Sequence, residues 1–86
     1  MQVAIPSVLQ SYTAGKRNVE AHGRTLAELL IDLDRRYPGI RFRMLDEADT
    51  LRPHIRVFVN REKVDDLAFP IAHNDEVVIL QALSGG

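Results

Sequence analysis

Gly23-Arg24-Thr25-Leu26-Ala27-Glu28-Leu29-Leu30-Ile31-Asp32-Leu33-Asp34-Arg35-Arg36-Tyr37-Pro38-Gly39 carries the clearest periodic pattern in the chain and decides how the rest is read. Leu26, Leu29, Leu30, Leu33 and Tyr37 recur at i, i+3, i+4, i+7 and i+11, which predicts a helix with one apolar stripe over Thr25–Tyr37. Thr25 can accept from the Glu28 amide, and the Glu28 carboxylate can reach back to the Thr25 amide, a capping box. Arg35 and Arg36 fall in the last turn, where the helix dipole favours cations. Pro38-Gly39 stops the element.

Outward from this helix the period changes from 3.6 to 2. Gln2–Ile5 alternates, with Val3 and Ile5 on one face, and predicts a half-buried strand that Pro6-Ser7 interrupts. Val8 and Leu9 can still pack inward. Ser11–Lys16 reads as a turn and Asn18–His22 as an antiparallel return strand ended by Gly23. On the other side of the helix, Ile40–Leu45 reads as a short helical turn or loop, and Asp46–Pro53 is polar with Leu51 folding inward. His54–Asn60 alternates: Ile55, Val57 and Val59 face one way, Arg56, Phe58 and Asn60 the other. Asn60–Lys63 reads as a turn, with Val64 opening a short return strand. Residues 65–74 are irregular, since Pro70 excludes regular helix. Glu76–Leu83 is the last strand, with Val77, Ile79, Gln81 and Leu83 on one face and Val78, Leu80 and Ala82 on the other.

One helix between two hairpin-like regions predicts an α+β layer, with a mixed four- to five-stranded sheet and the main helix on one face. The first and last strands should lie parallel at the sheet centre, and the helix stripe should pack on Val3, Ile5, Val57, Val59, Val77 and Ile79. The expected organisation is one domain over residues 1–83 and a flexible tail over 84–86.

Composition narrows the function. The chain has 86 residues, 45% hydrophobic and 27% charged, with no cysteine. That is enough for one core and argues against disorder. The absence of cysteine excludes a disulfide framework, a thiolate metal site and a cysteine nucleophile. Lys plus Arg is 11 against 12 Asp plus Glu, a net charge of −1. Such a balance lacks the broad attraction of a nucleic-acid binder. Apolar runs are too short for a membrane span, and Met1–Pro6 does not read as a signal peptide, so a cytoplasmic protein that binds no membrane is expected.

The chemical feature is the end of the chain, Ser84-Gly85-Gly86. A terminal carboxylate is ionised at neutral pH and can attack the α-phosphorus of ATP to give an acyl-adenylate. Residues 83–86, extended, reach roughly 13 Å, enough to enter a partner's active site. Glycines without β-carbons fit a narrow channel and let partner backbone approach closely. An achiral last residue cannot epimerise once its carbonyl is activated.

With this tail, the strand ending in Ile5-Pro6, Gly23-Arg24-Thr25-Leu26, Tyr37-Pro38-Gly39-Ile40, His54–Asn60 and Asp75-Glu76-Val77, the whole chain resembles the ubiquitin-like sulfur carriers of the MoaD/ThiS family, which have the β-grasp fold. It is most similar to the branch that feeds cysteine-synthase-like enzymes, and also resembles carriers recruited to secondary-metabolite sulfur insertion. The resemblance implies a cycle run by partners. A ubiquitin-activating-type adenylyltransferase, using ATP that the chain itself does not bind, would activate the Gly86 carboxylate. A rhodanese-like or desulfurase sulfur donor would displace AMP. The Gly86 thiocarboxylate would then give its sulfur to an accepting synthase, whether cysteine-synthase-like, secondary-metabolite or of the molybdopterin or thiazole type. In the cysteine branch the electrophile is an aminoacrylate on pyridoxal phosphate. The carrier is not an enzyme, and a monomer is expected when free. Gln81-Ala82-Leu83-Ser84 does not identify the client enzyme. Two alternatives stay open: a protein modifier forming isopeptide bonds through Gly86, and a binding module in which Gly-Gly is incidental.

Phe58, Val78 and Leu80 would form an apolar docking patch on the face away from the helix, unless segment 40–53 covers them. Arg56 and Arg61 would flank it as rim contacts. Arg24, Arg35, Arg36, Arg41, Arg43 and Arg52 read as solvated surface. His22, His54 and His73 lack metal-ligand spacing, Ser7, Ser11 and Ser84 lack a nucleophile-elbow context, and Asp46, Glu47 and Asp49 lack the calcium-loop pattern, so no metal and no catalytic residue is expected.

Overall fold

Helix α1 runs Leu26–Arg36. The computed structural model describes residues 1–82. Leu26, Leu29, Leu30 and Leu33 are buried to 1% exposure or less, and Tyr37 packs against the same core as the C-cap residue. Burying each leucine is worth about 1.5–3 kcal/mol of transfer free energy. The Thr25 hydroxyl accepts from the Glu28 amide at 3.2 Å. The reciprocal half of the box is shifted by one residue: the Glu28 carboxylate accepts from the Arg24 amide, at 3.1 Å, rather than from that of Thr25. The cause is the segment alongside. Ile71 donates to the Arg24 carbonyl and Leu26 to that of Phe69, so residues 24–26 follow an extended neighbour into the helix.

The sheet has five strands in the order β2-β1-β5-β3-β4. Strand β1 (Gln2–Ala4) and β2 (Asn18–Glu20) form the antiparallel hairpin, each shorter than the sequence pattern suggests. Strand β5 (Val77–Gln81) lies parallel to β1, with Val3 beside Val77, and antiparallel to β3 (Ile55–Val59). Val3, Ile5, Val57, Val59, Val77 and Ile79 share one buried cluster with the α1 stripe, as expected. Leu9 joins it from a 3-10 turn at Ser7–Leu9, whereas Val8 does not pack and is 52% exposed. In a 3-10 turn neighbouring side chains point about 120° apart, so with Leu9 facing the core Val8 is turned out.

Segment 40–53 closes the helix side. Helix α2 (Ile40–Met44) starts where the Asp34 carboxylate accepts from the Gly39 and Arg41 amides, satisfying two donors that its short first turn leaves open. Ile40, Met44 and Leu45 are buried, and Leu51 folds inward to bridge Leu45. Strand β4 (Glu62–Lys63) begins earlier than expected, since the turn before it needs only Asn60 and Arg61.

Candidate functional site

Strands β3 and β5 place the candidate docking residues in two facing rows. Phe58 stands opposite Val78, and Arg56 opposite Leu80. Because side chains alternate along a strand, these four lie on the face opposite to Val57 and Ile79 and away from α1. Phe58 and Val78 are half-buried, and Leu80 is 47% exposed. With Arg61 and Glu76 they line a shallow hollow of about 300 Å³. Segment 40–53 contributes nothing to its walls: Ile40, Met44, Leu45 and Leu51 are spent on the core behind the sheet, and Phe42 lines a different hollow.

Arg61 reaches the rim of this hollow through an unusual turn. Asn60 and Arg61 both have positive φ, 50° and 71°, the mirror-image turn that matches the twist of a two-residue hairpin. Asparagine tolerates that region, but for arginine it is costly. The turn is latched to the start of β5. The Asn60 side chain donates to the Asp75 carboxylate at 2.9 Å and accepts from the Glu76 amide at 2.9 Å. The Asn60 amide also donates to the Glu76 carbonyl. The Ala72 amide and the Asn60 amide group together hold the Asp75 carboxyl below its usual range. This latch was missed in the sequence. Its signal was Asn60 at a hairpin position that demands positive φ.

Arg56 does not turn toward the hollow. Its guanidinium donates to the Pro53 and Ile55 carbonyls, at the end of the sheet where β3 begins. That is also where the described chain ends: the Ala82 amide donates to the His54 carbonyl at 2.7 Å. The candidate tail, Ser84, Gly85 and Gly86 with Leu83 before it, lies outside the described residues, and so does the expected domain boundary at residue 83.

The remaining candidates are placed apart. Among the described residues, no three histidine or acidic side chains gather as a metal site. Asp46 accepts from the Ala48 and Thr50 amides, and Asp49 pairs with Arg41 at 3.1 Å, so both carboxylates serve local turns. Asp32 pairs with Arg35 and Arg36. No helix among the described residues is long and apolar enough to cross a membrane.

One helix laid across a five-stranded mixed sheet, with β1 and β5 parallel at its middle and the other face open, defines a β-grasp protein of the ubiquitin-like class. Within that class the chain belongs to the ThiS family, whose sequence profile matches residues 3–86. It is 38% identical over 89 residues to the sulfur carrier protein CysO of Mycobacterium tuberculosis, covering 98% of this chain and 96% of that one. Its fold matches a chain of the Amycolatopsis orientalis BexX/CysO complex with a TM-score of 0.91 at 36% identity, covering 99% of this chain and 98% of the other. It also matches SAMP1, a small archaeal modifier protein of Haloferax volcanii, with a TM-score of 0.78 at 28% identity, covering 100% and 98%.

Proposed function

We propose that this ThiS-family chain is a sulfur carrier whose working atom is the carboxyl carbon of Gly86. The observation that carries the reading is the match to a sulfur carrier along nearly the whole of both chains, joined to a sequence that ends in Gly85-Gly86. In the proposed cycle a partner adenylyltransferase holds ATP. The Gly86 carboxylate attacks the α-phosphorus and pyrophosphate leaves. A donor persulfide sulfur attacks the acyl carbon and AMP leaves. A second thiol then closes a disulfide on the donor and releases the thiocarboxylate. The thiocarboxylate sulfur finally attacks an electrophile on an accepting enzyme. The chain supplies no acid or base to these steps. Its own part is to be held: Phe58, Val78 and Leu80 offer apolar contact, with Arg61 at the rim, while the tail enters the partner. Apolar centres with charged rims are the usual anatomy of such contacts.

The test is intact mass after incubation with the adenylyltransferase, ATP and a sulfide source. The full chain should gain the mass of one oxygen replaced by sulfur, and the chain lacking Gly86 should gain nothing while keeping its fold. Sulfur transfer that survives loss of Gly86 overturns the reading.

A second reading, protein modification through Gly86, is favoured by the likeness to SAMP1. It begins with the same adenylation but ends on a lysine amine. Trapped isopeptide conjugates in cells, absent when Gly86 is deleted, would assign it.

A further inference from the structure

The net charge of −1 conceals a polarity. At the end of the sheet where Ala82 leaves β5 stand Arg52 and Arg56, beside the start of β3, and Arg17, whose carbonyl accepts from Ile5 at the end of β1. Arg43 of α2 lines a hollow there with Arg52 and His54. At the opposite end stand Glu20, closing β2 and paired with the Met1 ammonium, Glu62, opposite Val59, and Asp75 and Glu76 before β5, so the cations there, Arg24, Arg61, Lys63 and the N-terminus, are set among carboxylates.

Three guanidiniums at the basic end are held by neutral acceptors. Arg43 donates to the Tyr12 hydroxyl at 2.5 Å and lies over its ring, 5.9 Å from the centroid. Arg52 donates to the Phe42 carbonyl at 2.9 Å and lies 4.9 Å over the Phe42 ring. Arg56 donates to the Pro53 and Ile55 carbonyls. Among the described residues none of the three has a carboxylate within ion-pair distance, unlike Arg35, Arg36 and Arg41. Asp46 and Glu47 share the hollow with Arg43 and Arg52, but the Asp46 carboxylate is turned to its own backbone. A guanidinium fixed by an aromatic ring or a carbonyl has lost side-chain freedom yet kept its charge and spare donors. Phe42, 59% exposed, and Val8, 52% exposed, add apolar area at the same end.

We infer that this basic end is a second docking surface, separate from the open face, and that it fits an acidic protein surface ringing the mouth of the channel that receives the tail. The charge complementarity steers the tail end of the carrier forward on approach. The occupant is protein rather than nucleotide. Gly86 extends roughly 13 Å beyond residue 82 when threaded, so a nucleotide reacting with it is out of reach of these arginines. The inference rests on the carrier reading for the tail, but the surface can be tested without it.

The experiment is an amide-resolved NMR titration of the full chain with an oligoglutamate peptide, and separately with inorganic pyrophosphate. Peptide-induced shifts should gather on residues 8–12, 16–18, 42–56 and 81–82. The affinity should fall at least about fivefold between about 0.02 and 0.2 M salt. Arg43→Gln with Arg52→Gln should weaken it at least about fivefold, and Arg24→Gln, at the other end, should leave it unchanged. The amide spectrum reports whether each variant is folded, and the salt series needs no variant. Shifts spread evenly over all basic residues, equal weakening by Arg24→Gln, or tighter binding of pyrophosphate than of peptide each overturn the inference. The chain without Gly86 should bind the peptide as the full chain does. A failure of the carrier reading and a failure of this surface are therefore seen in different measurements.

Discussion

Arg56 and Leu80 stand directly opposite each other across β3 and β5, yet their side chains part: Leu80 is left 47% exposed and Arg56 bends back to the Pro53 carbonyl. The open face therefore ends in an apolar rim at Leu80 rather than a charged one. Leu80→Asp should raise the KM for the carrier in partner-catalysed adenylation at least about tenfold, the scale of losing one well-packed interface anchor. Its thermal midpoint should stay close to the parent's, because the side chain is outside the core. An unchanged KM with the fold intact removes Leu80 from the docking face.

Arg61 should show opposite effects on stability and binding. At φ 71° a residue with a β-carbon is strained, so Arg61→Gly should stabilise the fold by about 1 kcal/mol, read as a higher urea midpoint. The same change removes the only described cation lining the hollow of Phe58, Val78 and Leu80 and should weaken partner binding. If Arg61→Gly stabilises the chain and binds equally well, the arginine has no docking role.

Gly23 is fixed by packing. A β-carbon there would lie 2.3 Å from the Leu29 amide nitrogen and 2.7 Å from the Leu29 Cα, both backbone atoms of α1. Gly23→Ala must push α1 off the sheet and should cost about 3 kcal/mol or more. A chemical denaturation curve checks this, and a loss well below 1 kcal/mol would show that the helix start yields.

Asp32 ties α1 to the end of β2. Desolvation raises its pKa, but the His22 amide and the Arg35 and Arg36 guanidiniums outweigh that and hold it at about 2. Its folded pKa lies below the ordinary value of 3.8, so its stabilisation is fully present above that value. It is lost as pH falls toward 2. The loss should be about 2 kcal/mol. Asp32→Asn should be less stable at neutral pH and lose less stability between pH 4 and about 2; parallel pH profiles for the two proteins refute the assignment.

The helix was legible because its signals are local. A stripe at 3.6 spacing and a cap three residues away survive any tertiary context, and only the carboxylate's partner moved, from Thr25 to Arg24. The strands were legible in type and face, since burial of one side imposes period 2 on Ile55–Val59 and Val77–Ile79. That Phe58, Val78 and Leu80 share the face away from α1 followed from the same alternation. What lay beyond the sequence depends on contacts between distant residues. The Asn60–Asp75 latch joins side chains 15 apart. The direction of Arg56 depends on a carbonyl at Pro53, and that of Arg43 on a ring 31 residues away. Alternation says which face a side chain leaves from, and says nothing of where a long side chain bends.

Strand β5 joins the residues before the tail to the middle of the sheet, with β1 on one side and β3 on the other. The consequence is mechanical. A pull on the chain beyond Ala82 acts along the strand axis, so the hydrogen bonds to both neighbours are loaded in shear and must yield together. Were the same strand at an edge and pulled sideways, they would open one by one. In the proposed cycle, drawing the tail into a partner and out again would load the best-secured strand of the fold.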